Sequence, residues 1–354
     1  MKCKVCGAVF QLHIRFRKPV KYFCPYCLKA LFTWKVRDDV TIFKCHNNNC
    51  QHRVEKINKL NGSEKKLRKL RLSQFKINYQ YRDYHYQIGD LEVAKPDKPK
   101  VDLKRIHNDL SIFSLILTLH ISYAITARKT AHMLMNIWKI PVSHQTVLNY
   151  VKTAAYYCHK FNHKYKGEVD NINAGDETYI KVKGKWHYVW LFIGSASKKI
   201  CSYHFSDNRG AKAAITTMLE TIRTAKEDQN IIHVTDGNPS YQAAVHFINS
   251  KINHLKLTLK NVIGLQNLDD ESEQYRPYKQ MIERLNRTYK YHVQSQNGFG
   301  NVGGAVAKLA LFVTHYNFLR PHKTLNYKTP VHLPELIGID TIQNKWKKII
   351  SLAV

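Results

Sequence analysis

Residues 176–190 read DETYIKVKGKWHYVW, and the fold turns on this segment. Ile180 and Val182 alternate with Lys181 and Lys183, Gly184 breaks the run, and WHYVWLFIG follows as an almost wholly apolar stretch. Alternation, a turn residue and then a buried run describe a β-hairpin that enters the middle of a sheet. Two acids open it, with Asp176 at the head of the most strand-like segment in the chain.

Downstream, KICSYHFS supplies a third strand, and Asp207 or Asn208 starts a helix with Ile215, Leu219 and Ile222 on one face. IIHVTD is a short buried strand ending at Asp236; Asn238 and Pro239 suit the cap and first turn of a helix through Ile248. LKLTLKNVI reads as a fifth strand, Asp269 to Glu273 as a solvated acidic loop, and KQMIERLNRTYKYH and GGAVAKLALFVTHYNFLR as two closing helices. A three-strand meander, then helix–strand–helix–strand and closing helices, gives an α/β fold: a ribonuclease H-like mixed sheet flanked by helices over residues 166–335. Residues 336–354 are left as a C-terminal tail.

Upstream, residues 108–165 are helical in pattern. Ala127 to Trp138 form one helix, Ile140-Pro141-Val142 a turn, and Ser143 caps a second helix whose inner face carries Val147, Val151 and Ala154. Two helices and a tight turn are the outline of a helix-turn-helix, which would offer His144, Gln145, Asn149 and Lys152 to a DNA groove. A plain helical hairpin has the same outline. Residues 61–107, basic and interrupted by Pro96 and Pro99, read as a solvated linker.

Charge decides between the two helical readings. Lys and Arg number 56 against 26 Asp and Glu, a formal charge of +30, so a polyanionic partner is expected and nucleic acid is the commonest. A membrane is the rival, but the longest apolar stretch, Leu110 to Ile125, is broken by Ser111, Ser114, Thr118, His120 and Ser122 and falls short of the ~20 residues a span needs. The N-terminus shows no signal pattern, so a cytoplasmic protein with no membrane partner is expected.

Six of the eight cysteines lie in the first fifty residues. Cys24 and Cys27, seventeen intervening residues with strand character, then Cys45 and Cys50 give the spacing of a zinc ribbon over residues 1–60, with four thiolates around Zn²⁺. His46 and His52 are nearby alternates, and Cys3 and Cys6 could instead join Cys24 and Cys27. Cys158 and Cys201 read as small buried thiols.

In the expected sheet the first and fourth strands are neighbours, so Asp176 and Asp236 approach each other. Paired carboxylates repel and are tolerated mainly where a cation satisfies both; hard oxygen ligands suit Mg²⁺ or Mn²⁺. A third acid would complete a site for two ions. Glu271, Glu273 and Glu283 compete, at 35, 37 and 47 positions after Asp236 (271, 273 and 283 less 236). Glu283 is chosen for its cationic helix, where Arg284, Asn286, Arg287 and Lys290 can meet DNA phosphates; its bland alternative is an ion pair with Arg287. GFGNVG, Gly298 to Gly303, follows no strand and reads as a flexible turn.

DETYIKVKGKW, VTDGNPSY, YRPYKQMIERLNRTYK and YNFLRPHKTLNYKTP together resemble the catalytic domain of DDE-type insertion-sequence transposases, relatives of retroviral integrase. The resemblance spans residues 108 to 335 and implies Asp176, Asp236 and Glu283 as the acidic triad. Many relatives have a shorter gap between the last two acids, which implies an insertion around GLQNLDDESEQ and keeps Glu271 in view. The resemblance also implies the chemistry: hydrolysis at the element ends with two Mg²⁺ ions, then joining of the 3′-hydroxyls to target DNA, by a homo-oligomer that pairs DNA ends. Arg320, in the closing motif with Tyr316, Asn317 and His322, is a phosphate-contact candidate, with Lys323 beside it. The resemblance also implies that Cys3 and Cys6 are the second half of an earlier ribbon, whose partner pair would be missing. Two other functions share these features: a DNA-binding protein from a decayed element, and a nuclease without joining activity.

Overall fold

The structure is a computed structural model that describes residues 20–266 and 268–354, in two compact units divided between Gln87 and Ile88. Cys3 and Cys6 lie outside the described residues.

The first unit is a three-stranded antiparallel sheet in the order β1-β2-β3: β1 is Phe32–Val36, β2 Val40–Lys44 and β3 Gln80–Tyr84. Between β2 and β3 come helices α1, Gln51–Asn58, and α2, Gly62–Leu70. The linker expected over 61–107 is therefore corrected. Asn61 and Glu64 form a reciprocal capping box that starts α2, and β3 pairs with β2 from Val40↔Tyr84 to Lys44↔Gln80. Its basic composition had masked the capping pair and the pairing strand. Further on, Ala94 N–H donates to His204 Nδ1 at 3.0 Å, and the amides of Lys100 and Val101 to Thr153 Oγ1 at 3.1 and 3.0 Å. Residues 88–107 are thus tied to the second unit.

That unit begins with a helical layer: α3, Leu110–Leu117, extended by a π-turn Thr118–Ser122; α4, Ala127–Trp138; and α5, His144–Lys164. Ser143 Oγ accepts the Thr146 amide at 3.0 Å, and Val147, Val151 and Ala154 are buried as expected. Yet α5 runs 21 residues and packs along the closing helix, so residues 108–165 do not stand apart as a helix-turn-helix domain. Its second half, through Ala155, Cys158 and Phe161, is core.

The central sheet follows: β4 Ile172–Val182, β5 Lys185–Gly194, β6 Ile200–Ser206, β7 Asn230–Thr235 and β8 Lys256–Asn261, in the order β6-β5-β4-β7-β8. The first three are antiparallel; β7 and β8 join in parallel. The β4–β5 turn needs positive φ at both Lys183 and Gly184, 49° and 76°, which favours glycine at the second. Between the strands lie α6, Ala211–Ile222, and α7, Pro239–Lys251. The α6 start moves three residues beyond the expected Asn208, because Asn208 Oδ1 accepts the Gly210 amide and holds that stretch in a turn. Trp190 and Phe192 on β5 meet the Tyr241 ring of α7 on one face, while Val189, Leu191 and Ile193 join the core on the other.

Over that second face lie α8, Asp270–Gln294, and α9, Val302–Thr314, the latter extended by a π-turn through Leu319. The expected acidic loop is the start of α8. Asp269 Oδ1 accepts the Ser272 amide at 2.7 Å, and Asp270, Glu271 and Glu273 occupy the first turn, where the helix dipole favours negative charge. Nor is 336–354 a tail. Ile342–Ala353 form α10, with Trp346, Ile349 and Ile350 buried at helical spacing and Trp346 Nε1 donating to Ser122 Oγ at 2.9 Å. The GFGNVG turn is pinned rather than free: the Lys183 amide donates to Phe299 O and the Phe299 amide to Lys181 O, both at 2.9 Å. Among the described residues one stretch, Val302–Leu319, is long and apolar enough to cross a membrane, but 83% of it is buried in the core.

Inside that helical layer Lys308 is fully buried and donates to His120 O at 2.7 Å. Burial lowers its pKa to about 7, far below an ordinary lysine, so the folded chain sheds a proton that the unfolded chain keeps. Stability should therefore rise with pH from about 7 toward 9, by up to ~1.4 kcal/mol per unit from this residue. Urea denaturation at pH 7, 8 and 9 checks this: Lys308→Met should flatten the slope relative to the wild type.

Candidate active site

The site is set by register. β4 and β7 pair in parallel over Ile172↔Ile232, Asn173↔His233 and Ala174↔Val234, which brings Asp176 level with Asp236 two residues further along both. β7 ends at Thr235, so Asp236 leaves the strand beside Asp176. Asp176 itself lies inside β4, not at its head, because Ile172 to Gly175 extend the strand upstream. One oxygen from each of Asp176, Glu177 and Asp236 lies within 4.8 Å of the others.

Strand alternation sends the first two acids opposite ways. Glu177 faces α7. Its carboxylate accepts from Tyr241 Oη at 2.6 Å, Asn238 Nδ2 at 3.0 Å and Arg209 Nε at 2.7 Å, and only 2% of the side chain is exposed. Arg209 also reaches to 3.9 Å of Asp236 Oδ2, and Asp236 Oδ1 accepts the Asn238 amide at 2.9 Å. Asp176 faces α8, where Lys279 Nζ stands 3.4 Å from Oδ2 and Asn286 Nδ2 donates to it at 3.1 Å. Burial, with Glu177 and Asp236 adding to it and Lys279 opposing it, raises the Asp176 pKa to about 6.

Glu283 is not among the three clustered acids. It sits on α8 between Lys279 and Asn286, at i+4 and i−3, so all three share one helical face and both neighbours touch Asp176. Among the described residues no ion pair or hydrogen bond engages its carboxylate, and the pair with Arg287 at i+4 is not formed. Glu271 instead pairs with Lys260 on β8 and is 66% exposed. It lies twelve residues before Glu283 on the same helix, roughly 18 Å away along the axis.

These residues fit a divalent cation. The oxygens are hard, the carboxylates repel one another, and Asn286 Oδ1 is buried without a hydrogen-bond partner. Lys279, itself buried, supplies positive charge beside Asp176. Glu177, Arg209, Tyr241 and Lys279 are the site's unforeseen members. The adjacency of Asp176 and Glu177 and the spacing of Lys279, Glu283 and Asn286 were the available signals.

In the first unit, Cys24, Cys27, Cys45 and Cys50 also gather within 4.8 Å, with Sγ–Sγ separations of 3.8 Å for Cys24 and Cys50 and 3.6 Å for Cys27 and Cys45. A disulfide would need ~2.05 Å. The edge of a tetrahedron with ~2.3 Å metal–sulfur bonds is ~3.8 Å, so the thiols fit one ion. The Cys27 thiol, hydrogen-bonded by Asn47, is lowered to about 6, while burial drives Cys45 up to about 12. His46 and His52 are not in the cluster; they stack on Phe32 and Tyr26. Cys158 and Cys201 are buried singly.

Of the DNA-contact candidates, His144 and Gln145 are exposed at the start of α5, and Asn149 and Lys152 half-buried a turn or two on, with Gln145 donating to Asn149. Arg284, Arg287 and Lys290 are exposed on α8, and Arg320 lies over the Tyr316 ring. Asn286 faces Asp176 rather than solvent, and Asn317 is structural, bonding both the amide and the carbonyl of Ile200.

The family models agree with this site. The DDE domain family matches residues 173–299, and the integrase core domain family residues 272–330. Residues 173–299 thus form a DDE-type transposase domain, the domain of a DDE-type polynucleotidyl transferase, built on a ribonuclease H-like sheet. No curated protein matches the chain. Among solved structures, the HTLV-2 integrase catalytic core domain in complex with magnesium (trimeric form) is 19% identical, covering 47% of this chain and 99% of that one at a TM-score of 0.32. The simian T-cell lymphotropic virus intasome in complex with PP2A regulatory subunit B56 gamma is 20% identical, covering 64% and 77%, at 0.33. The Mos1 strand transfer complex is 14% identical, covering 74% and 77%, at 0.26. With TM-scores this low the identification rests on the family models and the fold.

A cation must displace the proton that Asp176 retains below about pH 6. Mn²⁺ binding, followed by electron paramagnetic resonance as the part lost in Asp236→Asn, should weaken about tenfold between pH 7 and pH 5. Equal affinity at both would mean that Asp176 is not a ligand.

Proposed function

We propose that the protein is the transposase of an insertion sequence, which cuts DNA at the element ends and joins the 3′-hydroxyls to target DNA. Carrying this reading is the pairing of Asp176 and Asp236 beside the α8 face that bears Glu283. These three would hold two Mg²⁺ or Mn²⁺ ions; such ions, when bound, activate water and stabilise the attacking and leaving oxygens. Asn286 and Lys279 orient and neutralise Asp176, and Arg209 bridges Glu177 and Asp236, so the carboxylates are preorganised. Exposed Arg284, Arg287 and Lys290 on α8, His144, Gln145, Asn149 and Lys152 on α5, and Arg320 serve as DNA contacts, in keeping with the +30 charge. Zn²⁺ in the four-cysteine cluster stabilises the first unit, and the enzyme acts in the cytoplasm as a homo-oligomer that pairs element ends. Residues 88–354, helical layer included, act as one catalytic unit.

Incubation with Mn²⁺ and DNA carrying the gene's own flanks tests this, alongside Asp236→Asn, Glu283→Gln and Glu271→Gln. Cleavage and joining should fall at least a hundredfold in the first two and persist in the third. Loss only in Glu271→Gln would move the third ligand. End binding without cleavage by the wild type would favour a DNA-binding protein from a decayed element, and cleavage without joining a nuclease. The zinc assignment predicts one Zn²⁺ per folded chain by elemental analysis, lost in Cys45→Ser, with nuclease-free proteolysis then cutting the first unit selectively.

A further inference from the structure

The face of β4 that carries Glu177 continues as a strip of exposed aromatic rings. Tyr179 follows Glu177 on that face, opposite Tyr188 on β5, and Lys181 follows opposite Trp186. Tyr179 is 52% and Trp186 53% exposed, their rings 4.9 Å apart and edge-on. Each ring has a cation: Arg209 lies 5.9 Å from Tyr188, Lys290 4.2 Å from Tyr179 and Lys181 4.9 Å from Trp186. Together with Phe299 and Val293, Tyr179 and Trp186 line a cavity of about 500 Å³ with no carboxylate in its wall.

Two features join this strip to the acidic site. Arg209, over Tyr188, is the residue that bridges Glu177 and Asp236. Lys290 stands on the α8 stripe of Lys279, Glu283 and Asn286, at positions i, i+4, i+7 and i+11. Tyr179 lies three residues from Asp176 along the strand, about 10 Å, which is one or two nucleotides of extended strand. β7 pairs with β4 only as far as Ala174, and that edge of β4 then carries no strand until Phe299 bridges to it at Lys181 and Lys183.

Exposed rings cost solvation that cross-strand pairing recovers only in part, and Lys290 and Lys181, beside the Tyr179 and Trp186 rings, have no carboxylate in the cavity wall to pair with. A stretch of π-faces lined with cations suits a polyanion whose bases are free to stack. We infer that the Tyr179–Trp186 strip binds unpaired nucleotides next to the scissile phosphate, the bases stacking on the rings while Lys181 and Lys290 meet the backbone. This rests on the proposed action on DNA and adds the state of the substrate: duplex opened, or an overhang, beside the site.

The test uses the full-length protein in Ca²⁺ and fluorescence anisotropy with three probes: a blunt duplex of the gene's flank, the same duplex with a three-nucleotide 3′ overhang, and that overhang with abasic residues. Wild type should bind the base-bearing overhang at least fivefold more tightly than the abasic one, given ~1–3 kcal/mol per stacked base. Trp186→Ala and Tyr179→Ala should erase that difference and leave the blunt duplex unchanged, while Trp186→Phe keeps most of it. Equal affinity of the wild type for the abasic and base-bearing overhangs would overturn the inference and leave the transposase reading intact. So would a variant that weakens all three probes alike. Failure to bind any probe would overturn both.

Discussion

The structure depends on a repulsion. Asp176, Glu177 and Asp236 crowd one end of the β4–β7 pair, where burial disfavours charge and each acid raises the cost of the next. Much of what surrounds them offsets that cost. Arg209, Asn238 and Tyr241 engage Glu177 from one face, and Lys279 and Asn286 engage Asp176 from the other. A sheet between two helical layers is needed to bring donors to both sides at once.

Those two networks are unequal. Glu177 is saturated by three donors and sealed from solvent, so it acts as part of the scaffold. Asp176 and Asp236 keep access, and the Asn286 carbonyl oxygen beside them lacks a partner. Proximity alone would group the three acids; the hydrogen bonds divide them into one that holds and two that remain open to a ligand.

The helical layer explains why the chain needs more than a catalytic core. α5, α9 and α10 pack together around Phe161, Phe312 and Trp346, so the helices that resemble a DNA-reading hairpin also cover one face of the sheet. Positions at the start of α5 stay exposed, while its second half is core. A substitution in the buried half would disturb the sheet before it disturbed any contact to DNA.

Strand order, hairpin turn, helix caps and the four-cysteine cluster were readable from the sequence, because alternation, a glycine at positive φ, capping side chains and ligand spacing are local. Asp176 and Asp236 were readable because each belongs to a locally recognisable strand, Asp176 within β4 and Asp236 just past the end of β7, whose neighbourhood follows from topology. The boundaries that failed did so where charge stood in for structure. Lysines and tyrosines over 61–107 hid a capping box and an edge strand, the acids of 269–273 were helix-start residues, and the final helix looked like a tail until Ser122 and α3 supplied its partner face. Only the tertiary structure decided which acids are held and which are open. It alone put Lys290 over Tyr179, since contacts between residues over a hundred positions apart depend on packing that no local pattern encodes.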